Sequence, residues 1–388
     1  MTKRYASLII FSAATLWLAL GCSGGGPTAG GPLAPVPTGA WPMFHGTADL
    51  AGSAPGGLSE TLVLRWKFQT DGPVKGQAAI EGGRVFVGST DENVYAIDMA
   101  DGSKVWACKV EGEIEAPPLV RDGTVYVGSL YGPLYAIDAA TGTVKWKFET
   151  RDQIFGGANY VRSPQGDRDW IIIGSCDGNL YCIDARTGKE VWKVETGNYI
   201  NGTAAVAEGQ VVFGGCDSVI HIVSAADGKE IAAIESEGYF AGSPAVAGGR
   251  AYAGNFGGKL VCADLAEKKI LWQYGDGESE FYSSPALGPR EVVIGCRDNK
   301  VHCVGRDDGK PIWTFAARGN VDSSPVICGD KVVVGSADGR LYLLRLADGK
   351  QLWSFDIGRS VTATPAVVGG WVVVGGEDGT VYAFSGTQ

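Results

Sequence analysis

Residues 332–356 read VVVGSADGRLYLLRLADGKQLWSFD. Val332 to Ser336 alternate as a strand does, and Ala337-Asp338-Gly339 supplies the positive-φ geometry of a tight hairpin. A second strand, Arg340 to Leu344, is followed by another turn at Asp348-Gly349 and by a third strand that carries Trp353. This unit recurs. Its third-strand Trp stands at Trp66, Trp106, Trp146, Trp192, Trp272, Trp313 and Trp353, at intervals of 40, 40, 46, 80, 41 and 40 residues. The interval of 80 contains a degenerate unit, GKEIAAIES, with Ala232 at the Trp position. The strand–turn–strand element occurs eight times, beginning at Gly88, Gly128, Gly174, Gly214, Gly254, Gly295, Gly335 and Gly375, and Ser-Pro-Ala-Val or a variant precedes it.

Four short strands about every 40 residues, repeated eight times, predict an all-β, eight-bladed propeller of four-stranded antiparallel blades over residues 41–388. Gly at 59 of 388 positions fits many short strands joined by tight turns. The last unit lacks a Trp strand, and the first Trp strand, LVLRWKFQT at residues 62–70, precedes any complete unit. The N-terminal strand is therefore expected to complete the final blade and remove the open edge. Each Trp is read as a structural ring between sheets. Burying about 200 Å² at about 25 cal/mol/Å² makes each worth several kcal/mol as an upper value. The unit with Ala232 is expected to be the loosest.

Ahead of the repeats, Lys3 and Arg4 precede an apolar run from Leu8 to Leu20, so residues 1–21 read as an export signal. The run ends in Leu18-Ala19-Leu20-Gly21-Cys22, which resembles a bacterial lipoprotein signal with Cys22 as the acylated residue. The uncharged Gly/Pro-rich segment completing residues 22–40 reads as a flexible tether, with a reach of roughly 20–25 Å. The expected location is the cell envelope, on the outer membrane facing the periplasm and held by the lipid alone. The formal charge is −10, and loss of Lys3 and Arg4 with the signal makes the chain more acidic. That balance argues against nucleic acid and against electrostatic attachment to anionic lipid.

Eight Cys follow Cys22 without a CxxC or any zinc spacing, so no metal site is expected. Cys182, Cys262 and Cys303 share one repeat position and read as small core residues, whereas Cys176, Cys216 and Cys296 lie at or beside turns, where a disulfide could form. The three His are scattered, with His221 and His302 at a strand position held by Tyr elsewhere, and no catalytic constellation is legible. The Asp-Gly pairs lack an EF-hand register and read as turns.

The run Ala136-Ile-Asp138-Ala-Ala-Thr141-Gly142-Thr-Val-Lys-Trp146 resembles the repeat motif of the pyrroloquinoline quinone (PQQ) family. It recurs from Cys182 to Trp192, from Ala96 to Trp106 and more weakly from Cys262 to Trp272. Trp41-Pro42-Met43-Phe44-His45-Gly46 resembles a segment common ahead of such repeats. The resemblance implies two functional branches. Quinoprotein dehydrogenases hold PQQ and calcium beside a vicinal Cys pair, which this chain lacks. BamB-like outer-membrane lipoproteins act as accessory scaffolds of the β-barrel assembly machine. Size, unit count, signal and tether favour the second branch: a monomeric, non-catalytic scaffold for envelope proteins, without cofactor. A PQQ enzyme or sensor and a glycan- or peptide-binding propeller are the alternatives.

A binding face is sought where the repeat varies. Eight or nine residues after each Trp position stands an apolar residue, Val74, Ile114, Ile154, Ile200, Phe240, Phe281, Val321 and Val361. The residues on either side vary and are expected to rim the central funnel. The candidates are Phe155, Tyr199, Tyr239, Phe240, Phe281, Tyr282, Glu280, Lys75, Glu115, Asn201 and Asp322.

Overall fold

The computed structural model describes residues 39–386 and Pro37. Cys22, the export signal and residues 23–36 of the tether lie outside the described residues. Eight sheets, one per repeat, form the eight-bladed propeller. Blades 1 to 7 span residues 79–109, 119–149, 159–195, 205–235, 245–274, 286–316 and 326–356, each an antiparallel meander of four strands. Blade 8 joins the two ends of the chain. Its strands Ala366–Val368, Trp371–Gly375 and Thr380–Gly386 are completed on the outside by Leu62–Gln69, with Trp66 opposite Ala383. The N-terminal strand closes the ring as expected.

The repeat motif encodes the seams between blades. Asp138 Oδ1 accepts hydrogen bonds from the Ala140 and Thr141 N–H groups and from the Thr141 hydroxyl, fixing the turn that brings Gly142 over the preceding blade's Trp106. Gly142 has φ of 75°, and a Cβ there would stand 2.8 Å from the indole, so the motif needs Gly on both counts. Four of the indoles also donate across the seam: Trp66 to Met99 O, Trp106 to Ala139 O, Trp146 to Ala185 O and Trp313 to Leu346 O. Trp192 and Trp313 are buried, while Trp272 and Trp353 are half-buried. At the seam between blades 4 and 5 both partners change together. Ala232 replaces Trp and Lys268, with φ of 56°, replaces Gly; the Lys268 ammonium donates to Ile231 O.

A second set of links runs around the channel and accounts for the Ser-Pro-Ala-Val motif. The Thr203 N–H donates to the Ser243 hydroxyl, Ser243 N–H to Ser284, Ser284 N–H to Ser324, and Ser324 N–H to Thr364. Each hydroxyl ties one innermost strand to the next.

One end of the channel is closed by residues 41–54, which run as a strap across the innermost strands. Trp41 exchanges two backbone hydrogen bonds with Ile80. Further along, Pro42, Ala48, Asp49, Ala51 and Gly52 carbonyls accept from Val120, Val206, Val246, Leu287 and Ile327 N–H groups. Ser53–Ala54 then pairs in parallel with Val326–Cys328. Asn159 donates to the Ala48 carbonyl, so the strap bonds to blades 1 through 7. His45 is fully buried within it, stacked on Phe44 at 4.4 Å. Its Nδ1 lies 3.1 Å from Leu50 O while Nε2 has no partner, and burial pulls its pKa down from 6.5 to about 4.

All eight described cysteines are free thiols, and Cys182, Cys262 and Cys303 are fully buried in the sheets. His221 and His302 occupy the Tyr position. Just as Tyr95, Tyr181 and Tyr342 bond to the turn carboxylates of Asp91, Asp177 and Asp338, they contact Asp217 and Asp298. No helix among the described residues is long and apolar enough to cross a membrane.

Candidate functional site

With the strap as its floor, the channel is a cup of about 470 Å³ open at the other end. That volume lies within the range of small-ligand sites. The residue following each regular apolar position faces the cup in all eight blades: Lys75, Glu115, Phe155, Asn201, Ala241, Tyr282, Asp322 and Thr362. The apolar residue itself turns away from the cup and packs on the first Gly of the hairpin. A Cβ on Gly88 would stand 2.0 Å from Ile114, and one on Gly214 would stand 2.5 Å from Phe240.

That register corrects four of the expected rim residues. Phe240 and Phe281 occupy the apolar position and are buried at 0% and 2% exposure, larger versions of the Val and Ile that fill it elsewhere. Tyr199 and Glu280 stand one residue ahead of that position and do not line the cup. Residues there give their carbonyls to the adjoining hairpin, as Tyr199 O does to Cys216 N–H and Glu280 O to Arg297 N–H, and of that set only Tyr239 reaches the lining. Tyr199 remains half-exposed outside the cup.

Among the lining residues that the sequence reading did not single out are Phe256, Arg297 and Glu377. Each is the second residue after the first Gly of its hairpin (Asn255-Phe256, Cys296-Arg297, Gly376-Glu377). Variability at that place in the hairpin was the available signal.

The wall has two characters. On one side Tyr239 stacks on Phe256 at 4.5 Å and Phe256 meets Tyr282 edge-on at 5.9 Å; Phe155 adds a fourth ring to the lining. The Arg297 guanidinium lies 4.4 Å from the Tyr282 ring centre and forms a two-pronged pair with Asp322 at 3.0 and 3.1 Å. On the other side Lys75 pairs with Glu115 at 2.7 Å, and the Thr362 hydroxyl donates to Glu377 at 3.0 Å. The bond to Glu115 raises the Lys75 pKa, and burial raises that of Tyr282. Among the lining residues two cations face three carboxylates, so the cup is slightly acidic. It presents exposed ring faces beside directional charge pairs, an arrangement suited to an extended peptide or a sugar ring.

Eight four-stranded blades, a Trp at each seam but one and closure by the N-terminal strand place the chain in the class of PQQ-like repeat propellers. Residues 58–305 match the family described as "Beta-alanine-activating enzyme, beta-propeller", more than half of the chain, and the chain belongs to that family of propellers. Residues 275–388 match the family described as "Outer membrane protein assembly factor BamB". The search of curated proteins gives no match.

Among solved structures, BamB from Moraxella catarrhalis superposes with a TM-score of 0.71 at 20% identity, over 84% of this chain and 100% of that one. The quinohemoprotein alcohol dehydrogenase of Comamonas testosteroni superposes with a TM-score of 0.77 at 15% identity, over 89% and 80%. The computationally designed Ika8 protein does so with a TM-score of 0.71 at 18% identity, over 83% and 99%. At these identities the likeness is one of fold, and function has to be argued from the site.

Proposed function

We propose that this chain is a non-catalytic propeller scaffold, lipid-anchored through Cys22 at the outer membrane, whose cup docks a segment of an envelope protein partner. The observation that carries the reading is the lining. Seven of the sequence-selected residues, Phe155, Tyr239, Tyr282, Lys75, Glu115, Asn201 and Asp322, converge on one open cup of ring faces and paired charges. The match of residues 275–388 to the BamB assembly-factor family supports a partner in outer-membrane protein assembly. Three carboxylates against two already paired cations make the lining ill-suited to PQQ, itself a tricarboxylate, so no step is derived through that cofactor.

Mild crosslinking of the acylated protein in native membranes, followed by its recovery and identification of what comes with it, tests the proposal. A barrel-assembly protein is expected, and the Tyr239→Ala/Tyr282→Ala double variant should lose it while keeping its thermal midpoint within a few degrees. Tyr199→Ala, outside the cup, should retain the partner. Quinone absorbance in the purified protein, or capture that survives the double variant, would overturn the reading.

A further inference from the structure

We propose that blade 6 carries a transition-metal site made by Cys296, Asp298 and His302. Each offers one ligand atom, the three atoms lie within 4.8 Å of one another, and no other such trio of donors occurs among the described residues. All three come from one hairpin, the strand Glu291–Cys296, its turn and the strand Lys300–Gly305. Spacing in the sequence hides the cluster, because a two-residue and a four-residue step across a hairpin resemble no linear metal motif.

The repeat makes the coincidence informative. Where Cys296 stands, the other blades have Ser89, Ser129, Ser175, Gly215, Asn255, Ser336 and Gly376. At the position of His302 they have Tyr95, Tyr135, Tyr181, His221, Val261, Tyr342 and Tyr382. Blade 6 alone replaces both hydroxyl residues with metal donors while keeping the turn carboxylate. Blade 4 has the Asp217–His221 pair at 2.9 Å but Gly215 in place of the thiol, and so provides a built-in control.

The His302–Asp298 edge suits a small tetrahedral ion, and the Cys296 sulfur lies within 4.8 Å of both. His302 Nε2 is 3.1 Å from each Asp298 oxygen, close to the ligand–ligand edge of about 3.3 Å that metal–ligand bonds of about 2.0–2.1 Å imply. On the far side of the ring, Nδ1 lies 2.9 Å from the Tyr274 hydroxyl. With Nε2 on a metal, Nδ1–H donates to that oxygen, the outer-shell bond that orients a ligating imidazole. The Cys296 sulfur is buried and near the carbonyls of Ser279 and Glu280, whereas Asp298 is partly exposed and gives the ion its way in. Lys300 pairs with one Asp298 oxygen at 2.8 Å and leaves the other available.

A sulfur, nitrogen and oxygen donor set favours Zn²⁺ or Co²⁺ over Mg²⁺ or Ca²⁺, which take oxygen ligands. Binding releases the thiol proton of Cys296, leaving a thiolate on the ion and a fourth position for water. The ion would stiffen the turn from which Arg297 reaches the cup.

Titration of the chelator-treated full chain with Co²⁺ tests the site. One equivalent is expected to give thiolate-to-cobalt charge-transfer absorption and tetrahedral visible bands, which Zn²⁺ removes. Cys296→Ser, and Cys296→Ser/His302→Tyr, restore the residues of sister blades and should fold with unchanged midpoints but show no bands. Tyr274→Phe should weaken binding by about 10–100-fold. His221→Tyr should change nothing. Absence of charge transfer in the native chain, or bands that persist in Cys296→Ser, would overturn the proposal.

Discussion

The two ends of the central channel are framed by the same eight innermost strands and have opposite chemistry. At the floor, one strap takes backbone hydrogen bonds from blade after blade and buries Trp41, Phe44, His45 and Leu50. At the mouth, eight equivalent positions hold eight choices, from Lys75 to Thr362, several with a polar tip in water. Where backbone groups must be satisfied out of reach of solvent, the side chains serve closure. Where each hairpin already satisfies its own backbone, the next side chain is free to vary. Sequence variation on this frame therefore marks the places where the fold makes no demand.

The largest effect that would sharpen this contrast is at the floor. Trp41→Ala, at a side chain only 2% exposed, is expected to cost about 3–5 kcal/mol in denaturant unfolding. Tyr239→Ala at the mouth should cost less than about 1 kcal/mol. Acid gives the second test. His45 has a pKa of about 4 when folded and 6.5 when unfolded, so the unfolded chain binds its proton first as pH falls. Stability is full above pH 6.5 and declines by about 3 kcal/mol by pH 4, a loss that His45→Gln should remove from the pH profile. The smallest effect is at the mouth. Glu115→Gln breaks the pair with Lys75, both partly exposed, and should cost under about 1 kcal/mol, less in high salt. A cost of several kcal/mol there would mean that the mouth is as structural as the floor.

Much of this was legible in the sequence because the repeat is a measuring rod. Trp spacing gave the blades, the mismatched ends gave the closure in blade 8, and the residue after each apolar position faces the cup in every blade. What failed did so for identifiable physical reasons. Phe240 and Phe281 look like binding aromatics, yet they are the knobs that sit on Gly214 and Gly254. Two-residue alternation placed Tyr199 and Glu280 inside, but that backbone leaves the strand pattern to bond with the next hairpin. The strap is not repeated, so nothing in the periodicity announced it. The seam at Ala232 shows the converse: Lys268 stands where Gly would have faced a Trp, and the paired change was visible only once the two blades were side by side.

Blade 8 also bears on the order of events in making this protein. Its outer strand, Leu62–Gln69, finds its partner only when Thr380–Gly386 has been synthesised. Roughly 300 residues separate the two strands, so ring closure is a contact of very long sequence separation, the kind that forms late in folding. Until the two strands meet, an open strand edge and an unclosed ring stand exposed to other chains. The ring thus closes only when strands from both sides of the repeat array have come together. Its most vulnerable period comes before Leu62–Gln69 docks on Thr380–Gly386, and a chaperone able to cover one strand edge would guard it through that interval.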